Sequence, residues 1–342
     1  MFEKFIKKKN KIKKAVTAKF KGKNKKVLVE SFAEFEQISL NDLKQTVLIR
    51  GKSTKNPLLI FLHGGPGCSE MGLFNHFNKK LENNFIVVNW DQRGTCKSFY
   101  NGTLAKETIT LKNLVDDLHK LTLYVTKKFK KKKVYLIGHS FGTILGLLFT
   151  HKYPELVHSY VGVAPFLDPK RAERIVYNFL LTAAIDQENK KAIKELKNIK
   201  DIPNNSEEYL DKVTVFRRWV HKFGGSLYGE SNLSKLSRAL VRSKEYSFRE
   251  LMNYEKSNLF SMKCLWKEMV NINMFNLIKE IKVPVYFAVG RHDYQTPSLI
   301  AKEYLEKLQA PKKELIWFEK SAHNPMYEEP DKFNKLMIRI KK

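Results

Sequence analysis

Gly138-His139-Ser140-Phe141-Gly142 comes directly after the apolar run Val134-Tyr135-Leu136-Ile137 and just ahead of a helix-like stretch from Thr143 to His151. Strand, then G-x-S-x-G, then helix is the setting of a nucleophile elbow. Small residues two places either side of the serine let a tight turn lift its hydroxyl clear of the backbone. The five letters alone also fit an ordinary turn with a capping serine, because glycine marks turns of every kind. The flanking strand and helix select the elbow.

A serine nucleophile needs N–H donors aimed at the oxyanion formed during attack. Upstream, the buried-strand pattern Pro57-Leu58-Leu59-Ile60-Phe61-Leu62 runs into His63-Gly64-Gly65-Pro66-Gly67, a loop whose backbone can approach a ligand closely. The amide of Gly65 is one candidate donor and the amide of Phe141, next to the serine, is the other. The remaining partners are expected later in the chain, as an acid and then a histidine, each just beyond a strand. Val283 to Val289 is a strand followed by Gly290-Arg291-His292-Asp293, and Glu314 to Phe318 is a strand followed by Ser321-Ala322-His323. Ser140, His323 and Asp293 are therefore the candidates for nucleophile, base and orienting acid. His292 ranks second as base because it adjoins the acid, which makes it hard for Asp293 to orient it. Asp91, after the strand Phe85 to Trp90, precedes the serine and is expected to organise its loop by pairing with Arg93.

The combination of His63-Gly64-Gly65-Pro66-Gly67, Asp91-Gln92-Arg93-Gly94, Gly138-His139-Ser140-Phe141-Gly142, Gly290 to Pro297 and Ser321-Ala322-His323 resembles the α/β-hydrolase superfamily, in its proline iminopeptidase-like, S33-like branch. The likeness covers about residues 46 to 338. It implies a Ser-His-Asp hydrolase with a cap over the site, acting on N-terminal aminoacyl bonds or on small esters and amides. Two departures stand out. The branch typically carries glycine and tryptophan where this chain has His139 and Phe141, and its cap sets acids beside a tryptophan to hold the substrate amine. Here Trp219 is flanked by Arg218 and Val220, and Trp266 by Leu265 and Lys267. Glu230 and Glu255 remain as candidate amine anchors. Together with His63 they are the expected substrate contacts.

At 342 residues and 43% apolar the chain can bury a large core. Alternating strands and helices such as Leu111 to Lys127 predict an α/β fold with a mostly parallel sheet flanked by helices. Residues 27–165 and 280–342 are expected to form the catalytic domain, and 166–279, with helical periodicity and lysine-rich faces, a helical cap. Within it, Phe216, Trp219, Phe223, Tyr228, Tyr254 and Phe260 are expected to pack a core rather than roof a pocket. Cys68, Cys96 and Cys264 are odd in number and dispersed, without metal-site or disulfide spacing. That predicts a reducing, cytoplasmic setting. Neither a metal nor a cofactor is expected, since no phosphate-binding glycine loop leads into a helix.

The net charge of +28 rests on 63 basic residues, 52 of them lysine. Such a bias is a poor argument for nucleic acid, and none is expected as a partner. Residues 1–26 form a basic extension with twelve lysines. It is expected to be frayed and soluble, with weak contact to an anionic membrane surface as the alternative. No segment is apolar and long enough to span a membrane. The expected partner is thus a small molecule or short peptide, and oligomeric state is left open. Against a cofactor-independent serine hydrolase stands one reading of another class, a non-catalytic binding or scaffold protein on the same fold.

Overall fold

The computed structural model describes residues 14–99, 103–204, 206, 208–229 and 234–341. Eight strands form one sheet: β1 (Phe32–Leu40), β2 (Leu43–Gly51), β3 (Leu58–Leu62), β4 (Ile86–Trp90), β5 (Val134–His139), β6 (Val157–Val163), β7 (Val285–Gly290) and β8 (Lys313–Phe318), in the order β1-β2-β4-β3-β5-β6-β7-β8. The first two are antiparallel to their neighbours and β3 to β8 run parallel. Parallel strands must be covered on both faces, which explains why β3, β4 and β7 are buried along their whole length and read as continuous apolar runs.

One face is closed by a core that includes Leu118 and Val125 of α2 (Leu111–Phe129), Ile144 and Leu147 of α3 (Gly142–Lys152), and Tyr304 from the helix Ser298–Lys307. The other is closed by Met71 and Phe74 of α1 (Met71–Phe77) and by Phe333 and Met337 near the C-terminus. α2 starts where the Thr110 hydroxyl accepts the Asn113 amide, and ends at Lys130 in a left-handed conformation. The helix foreseen to end at Lys127 is thus two residues longer.

Between β6 and β7, among the described residues, lie seven helices: α4 (Pro169–Asp186), α5 (Lys190–Ile199), α6 (Tyr209–Lys222), α7 (Ser234–Arg242), α8 (Phe248–Met252), α9 (Tyr254–Val270) and α10 (Met274–Leu277). α4, α5 and α6 share a small core of their own, in which Phe216 and Trp219 are buried with Leu180 and Leu196. α9 is tied to the loops that follow β3 and β4. Asn258 Nδ2 donates to the Pro66 carbonyl at 2.6 Å, the Tyr254 hydroxyl to that of Ser69 at 2.7 Å, and the Ser261 hydroxyl to that of Gly94 at 3.1 Å.

Residues 1–13 lie outside the described residues, but 14–26 are not frayed. The Val16 amide donates to the Lys244 carbonyl at 2.8 Å, and Phe20 sits beneath the Arg50 guanidinium, 4.8 Å from its ring centroid. A composition-based expectation missed this because the docking partners are distant in sequence. Among the described residues no helix is long and apolar enough to cross a membrane.

Candidate active site

Ser140 sits on the turn between β5 and α3 with φ of 51°. Its amide donates to Val163 at 2.9 Å, and its own carbonyl accepts from the Thr143 amide at 2.9 Å, which pins a backbone conformation that a non-glycine residue rarely adopts. A Cβ on Gly142 would stand 2.2 Å from the Leu62 carbonyl oxygen, so the turn passes too close to β3 for any other residue. Gly65, on the facing loop, has φ of +115°. Among the described residues no backbone carbonyl takes the N–H of Gly65 or of Phe141, so both donors beside the serine stand open.

Asp293 and His323 follow β7 and β8, as expected from the sequence. The His323 Nδ1–H donates to Asp293 Oδ2 at 3.0 Å, and both residues are buried. That carboxylate also accepts the amides of Gln295 at 2.8 Å and Thr296 at 2.9 Å, and the Thr296 hydroxyl at 2.9 Å. Several N–H and O–H donors fix the carboxylate in place. With Nδ1 engaged, His323 Nε2 has no partner among the described residues. His323 and Ser140 both line one cavity of about 380 Å³. His292 turns elsewhere, stacking on Tyr228 with ring centroids 4.5 Å apart.

A second imidazole shares this end of the sheet. His139 Nδ1 lies 2.9 Å and 3.0 Å from the two Glu70 carboxylate oxygens, and its Nε2 donates to the His323 carbonyl at 3.0 Å. Both partners only accept, so both ring nitrogens carry protons. Burial opposes that charge, yet the Glu70 carboxylate holds His139 above the usual imidazole value; burial likewise acts to raise Glu70, and His139 keeps it below the usual carboxylate value. Glu70 also accepts the Gly64 amide at 3.1 Å, so one ion pair joins the loop after β3, the serine turn and the histidine loop. The sequence marks His139 as unusual but gives no pairing for it, because Glu70 lies 69 positions away.

Glu328 is a second unforeseen organiser. Its carboxylate accepts the amides of Tyr228 at 2.7 Å, Ala322 at 3.1 Å and Asn324 at 2.9 Å, on either side of His323, and burial pushes it up to about 7.

Two expectations change. His63 is buried beneath the loop rather than lining the cavity: its Nδ1–H donates to the Gly64 carbonyl at 2.8 Å and its Nε2 accepts the Gln92 amide at 3.2 Å. Burial pushes it down to about 4, so it is neutral and ties two loops together. Arg93 pairs with Asp117 of α2, at 2.8 Å and 2.9 Å, and not with Asp91. Asp91 takes the Ser69 hydroxyl and the Lys97 amide instead, organising its loop as foreseen but through other partners. Of the two candidate amine anchors, Glu255 lines the larger cavity at its exposed edge, and Glu230 lies outside the described residues.

A smaller cavity of about 110 Å³ also reaches Ser140 and Gly65. Phe216, expected in the core, lines it together with Phe166, Val176, Met262, Trp266 and Tyr294, so that side is apolar. Tyr254 lines the larger cavity, whereas Tyr228 is exposed against His292.

A mostly parallel eight-stranded sheet with a serine on the sharp turn after a central strand defines an α/β hydrolase. The chain belongs to the family described as Serine aminopeptidase, S33, whose profile matches residues 53–331. It is 33% identical over 312 residues to the protein named Probable aminopeptidase YbaC of Bacillus subtilis (strain 168), covering 91% of this chain and 96% of that one. Its identity to a Proline iminopeptidase of Heyndrickxia coagulans is 26% over 285 residues, 80% of this chain and 87% of that one. The crystal structure of a proline iminopeptidase of Mycobacterium smegmatis superposes with a TM-score of 0.63 at 15% identity, over 90% of this chain and 97% of the other. A 2-hydroxy-6-oxo-6-phenylhexa-2,4-dienoate hydrolase from Rhodococcus sp. strain RHA1 gives 0.60 at 18% identity, over 91% and 99%. These last two likenesses bear on the fold.

Proposed function

We propose that this hydrolase is a Ser-His-Asp enzyme working through an acyl intermediate, with short peptides or related amides and esters bearing a free N-terminal amine as its substrates. The observation that carries the reading is the state of His323: Nδ1 is fixed on Asp293, Nε2 has no partner among the described residues, and the residue lines the same cavity as Ser140. Ser140 Oγ attacks the scissile carbonyl while its proton passes to Nε2. The oxyanion is received by the N–H groups of Gly65 and Phe141. As the C–N bond breaks, His323 returns the proton to the leaving amine; it then takes a proton from water, whose oxygen displaces Ser140 from the acyl group, and passes that proton to the departing Ser140 Oγ. Asp293 orients the ring and balances its charge throughout. Family membership and the relative named as an aminopeptidase support the choice of substrate. In this reading residues 166–279 act as the cap, with the cavity beneath it.

The test is covalent labelling by a fluorophosphonate. The intact protein is expected to label at neutral pH and Ser140→Ala to remain unlabelled, with turnover lower by about 10⁴-fold or more. Absence of labelling in the intact protein, under conditions that label a known serine hydrolase, removes the mechanism and favours the non-catalytic alternative. A panel of aminoacyl anilides, including proline, against short-chain nitrophenyl esters then tests the substrate. Activity confined to the esters overturns the aminopeptidase assignment.

A further inference from the structure

Two consecutive arginines on α6 have opposite environments. Arg218 faces outward and pairs with Glu195, which also accepts the Trp219 indole N–H at 2.8 Å. Arg217 faces inward, lining both the larger and the smaller cavity where they meet beside Ser140 and Gly65. Among the described residues it has no carboxylate partner. Its one hydrogen bond is a long one, from Nη2 to the Gly65 carbonyl at 3.4 Å.

The acids nearby are committed or peripheral. Glu70 is held by His139 and the Gly64 amide, while Glu173, in the smaller cavity, is paired with Lys212 at 2.7 Å and takes the Tyr209 hydroxyl. Glu255 stands at the exposed edge of the larger cavity. The thiol of Cys68 supplies no counter-charge, because burial pushes it up to about 12. Burial also lowers the Arg217 value. One turn along the same helix face, His221 lines the larger cavity with its Nδ1 buried and unpartnered. A half-buried guanidinium held only by one long bond to a carbonyl keeps most of its donors free, and with the unpartnered His221 nitrogen beside it forms a receptor for a planar anion.

We propose that Arg217, with His221 beside it, binds a carboxylate of the substrate and so makes this an enzyme for carboxylate-bearing substrates. The inference rests on the serine-hydrolase reading above and names its substrate class. A monoanion suits the cavity better than a phosphate dianion, because Glu70 and Glu255 line the same space. An acid and a base in one cavity also complement a zwitterion, which is what a free dipeptide is. The carboxylate has two sources: the C-terminus of a short peptide on the leaving side, or an acid on the acyl side.

The experiment measures kcat/KM for matched pairs in the wild type, Arg217→Gln and Arg217→Lys. On the leaving side the pair is alanylalanine and its C-terminal amide. On the acyl side it is a nitrophenyl monoester of succinic acid and the ester of butyric acid. Expected is a preference of about 10- to 100-fold for the charged member of one pair, collapsing toward parity in Arg217→Gln and partly kept in Arg217→Lys. Each ratio is internal to one protein, so altered folding does not mimic the result. Parity in both pairs for the wild type, or a preference that survives Arg217→Gln, overturns the proposal.

Calorimetric titration of full-length Ser140→Ala, with and without Arg217→Gln, by alanylalanine, its amide, succinate and butyramide reads the same contrast without turnover. If fluorophosphonate labelling fails, the hydrolase reading falls. Tighter binding of the carboxylates that depends on Arg217 then still supports this one, and equal binding overturns it.

Discussion

Two imidazoles stand with ring centroids 5.1 Å apart at the C-terminal end of the sheet, each beside a carboxylate, and they are built for different work. His139 has both nitrogens engaged, one by Glu70 and one by the His323 carbonyl. His323 has one engaged, by Asp293, and one without a partner among the described residues, and it lines the same cavity as Ser140. The carboxylates differ too. Asp293 is supported by three further donors from its own loop, whereas Glu70 reaches across to the Gly64 amide. What separates a proton carrier from a structural cation here is the nitrogen left without a partner; an imidazole fully bonded to acceptors cannot accept a proton.

The largest effect expected from breaking this contrast is in turnover. His323→Ala should lower it by about 10⁴- to 10⁶-fold, checked by steady-state kinetics and fluorophosphonate labelling, because among the described residues His323 is the imidazole in the cavity of Ser140 that a carboxylate orients. Its stability cost should be the smaller of the two pairs, since Asp293 keeps its three loop donors. Glu70→Ala is expected to invert the pattern. It leaves His139 buried without its counter-charge and the Gly64 amide unpartnered, so denaturant unfolding should show a loss of about 3–5 kcal/mol. Turnover per folded molecule should fall far less than in His323→Ala. If Glu70→Ala instead matched His323→Ala in turnover at unchanged stability, the two imidazoles would share one catalytic function.

The same contrast explains what the sequence makes legible. Ser140, Asp293 and His323 each follow a strand of the parallel sheet, so chain order and local pattern suffice to nominate them. Glu70, Glu328 and Arg217 carry no such local mark. Each acts through a partner far along the chain: Glu70 on His139, Glu328 on Tyr228 at a separation of 100, Arg217 on Gly65 at 152. Arg93 illustrates the error this invites. Asp91, two residues away, is the natural partner on paper, but its carboxylate is occupied by Ser69 and Lys97, and the guanidinium reaches Asp117 instead. The strands are legible because burial on both faces leaves a continuous apolar run. The helices between β6 and β7 are legible as helices, yet their seating on the loops depends on single side chains such as Asn258, whose contact with Pro66 spans 192 positions.

The pH dependence of stability sharpens the comparison further. His139 holds its proton more tightly in the native protein than at the ordinary value of 6.5, so its stabilising contribution is complete below that pH and fades as pH rises through the raised value. Glu70 lies below 4.5, so its contribution is complete above that pH and is lost as pH falls through the depressed value. In Glu70→Gln the counter-charge is gone and burial drives His139 the other way, making its protonation unfavourable to folding. The stability gap between the wild type and Glu70→Gln should therefore be widest below the ordinary imidazole value of 6.5 and narrow as pH rises through the raised value of His139. A gap independent of pH over that range would mean that His139 is neutral in the native state and that its contacts with Glu70 and the His323 carbonyl are not both made by N–H groups.

The smallest effect concerns the support of the other pair. The Thr296 hydroxyl stands 2.9 Å from Asp293 Oδ2 and 3.2 Å from His323 Nδ1, while its own amide donates to Asp293 Oδ1 at 2.9 Å. Thr296→Val keeps the shape and the amide and removes only the hydroxyl. Since Asp293 would retain the amides of Gln295 and Thr296 together with the imidazole, the loss should be that of one hydrogen bond to a charged acceptor, lowering kcat by about 3- to 20-fold with KM little changed. An unaltered kcat would show that Asp293 is held by its backbone donors alone. The fixed imidazole of His323 would then owe nothing to the side chain that bridges it.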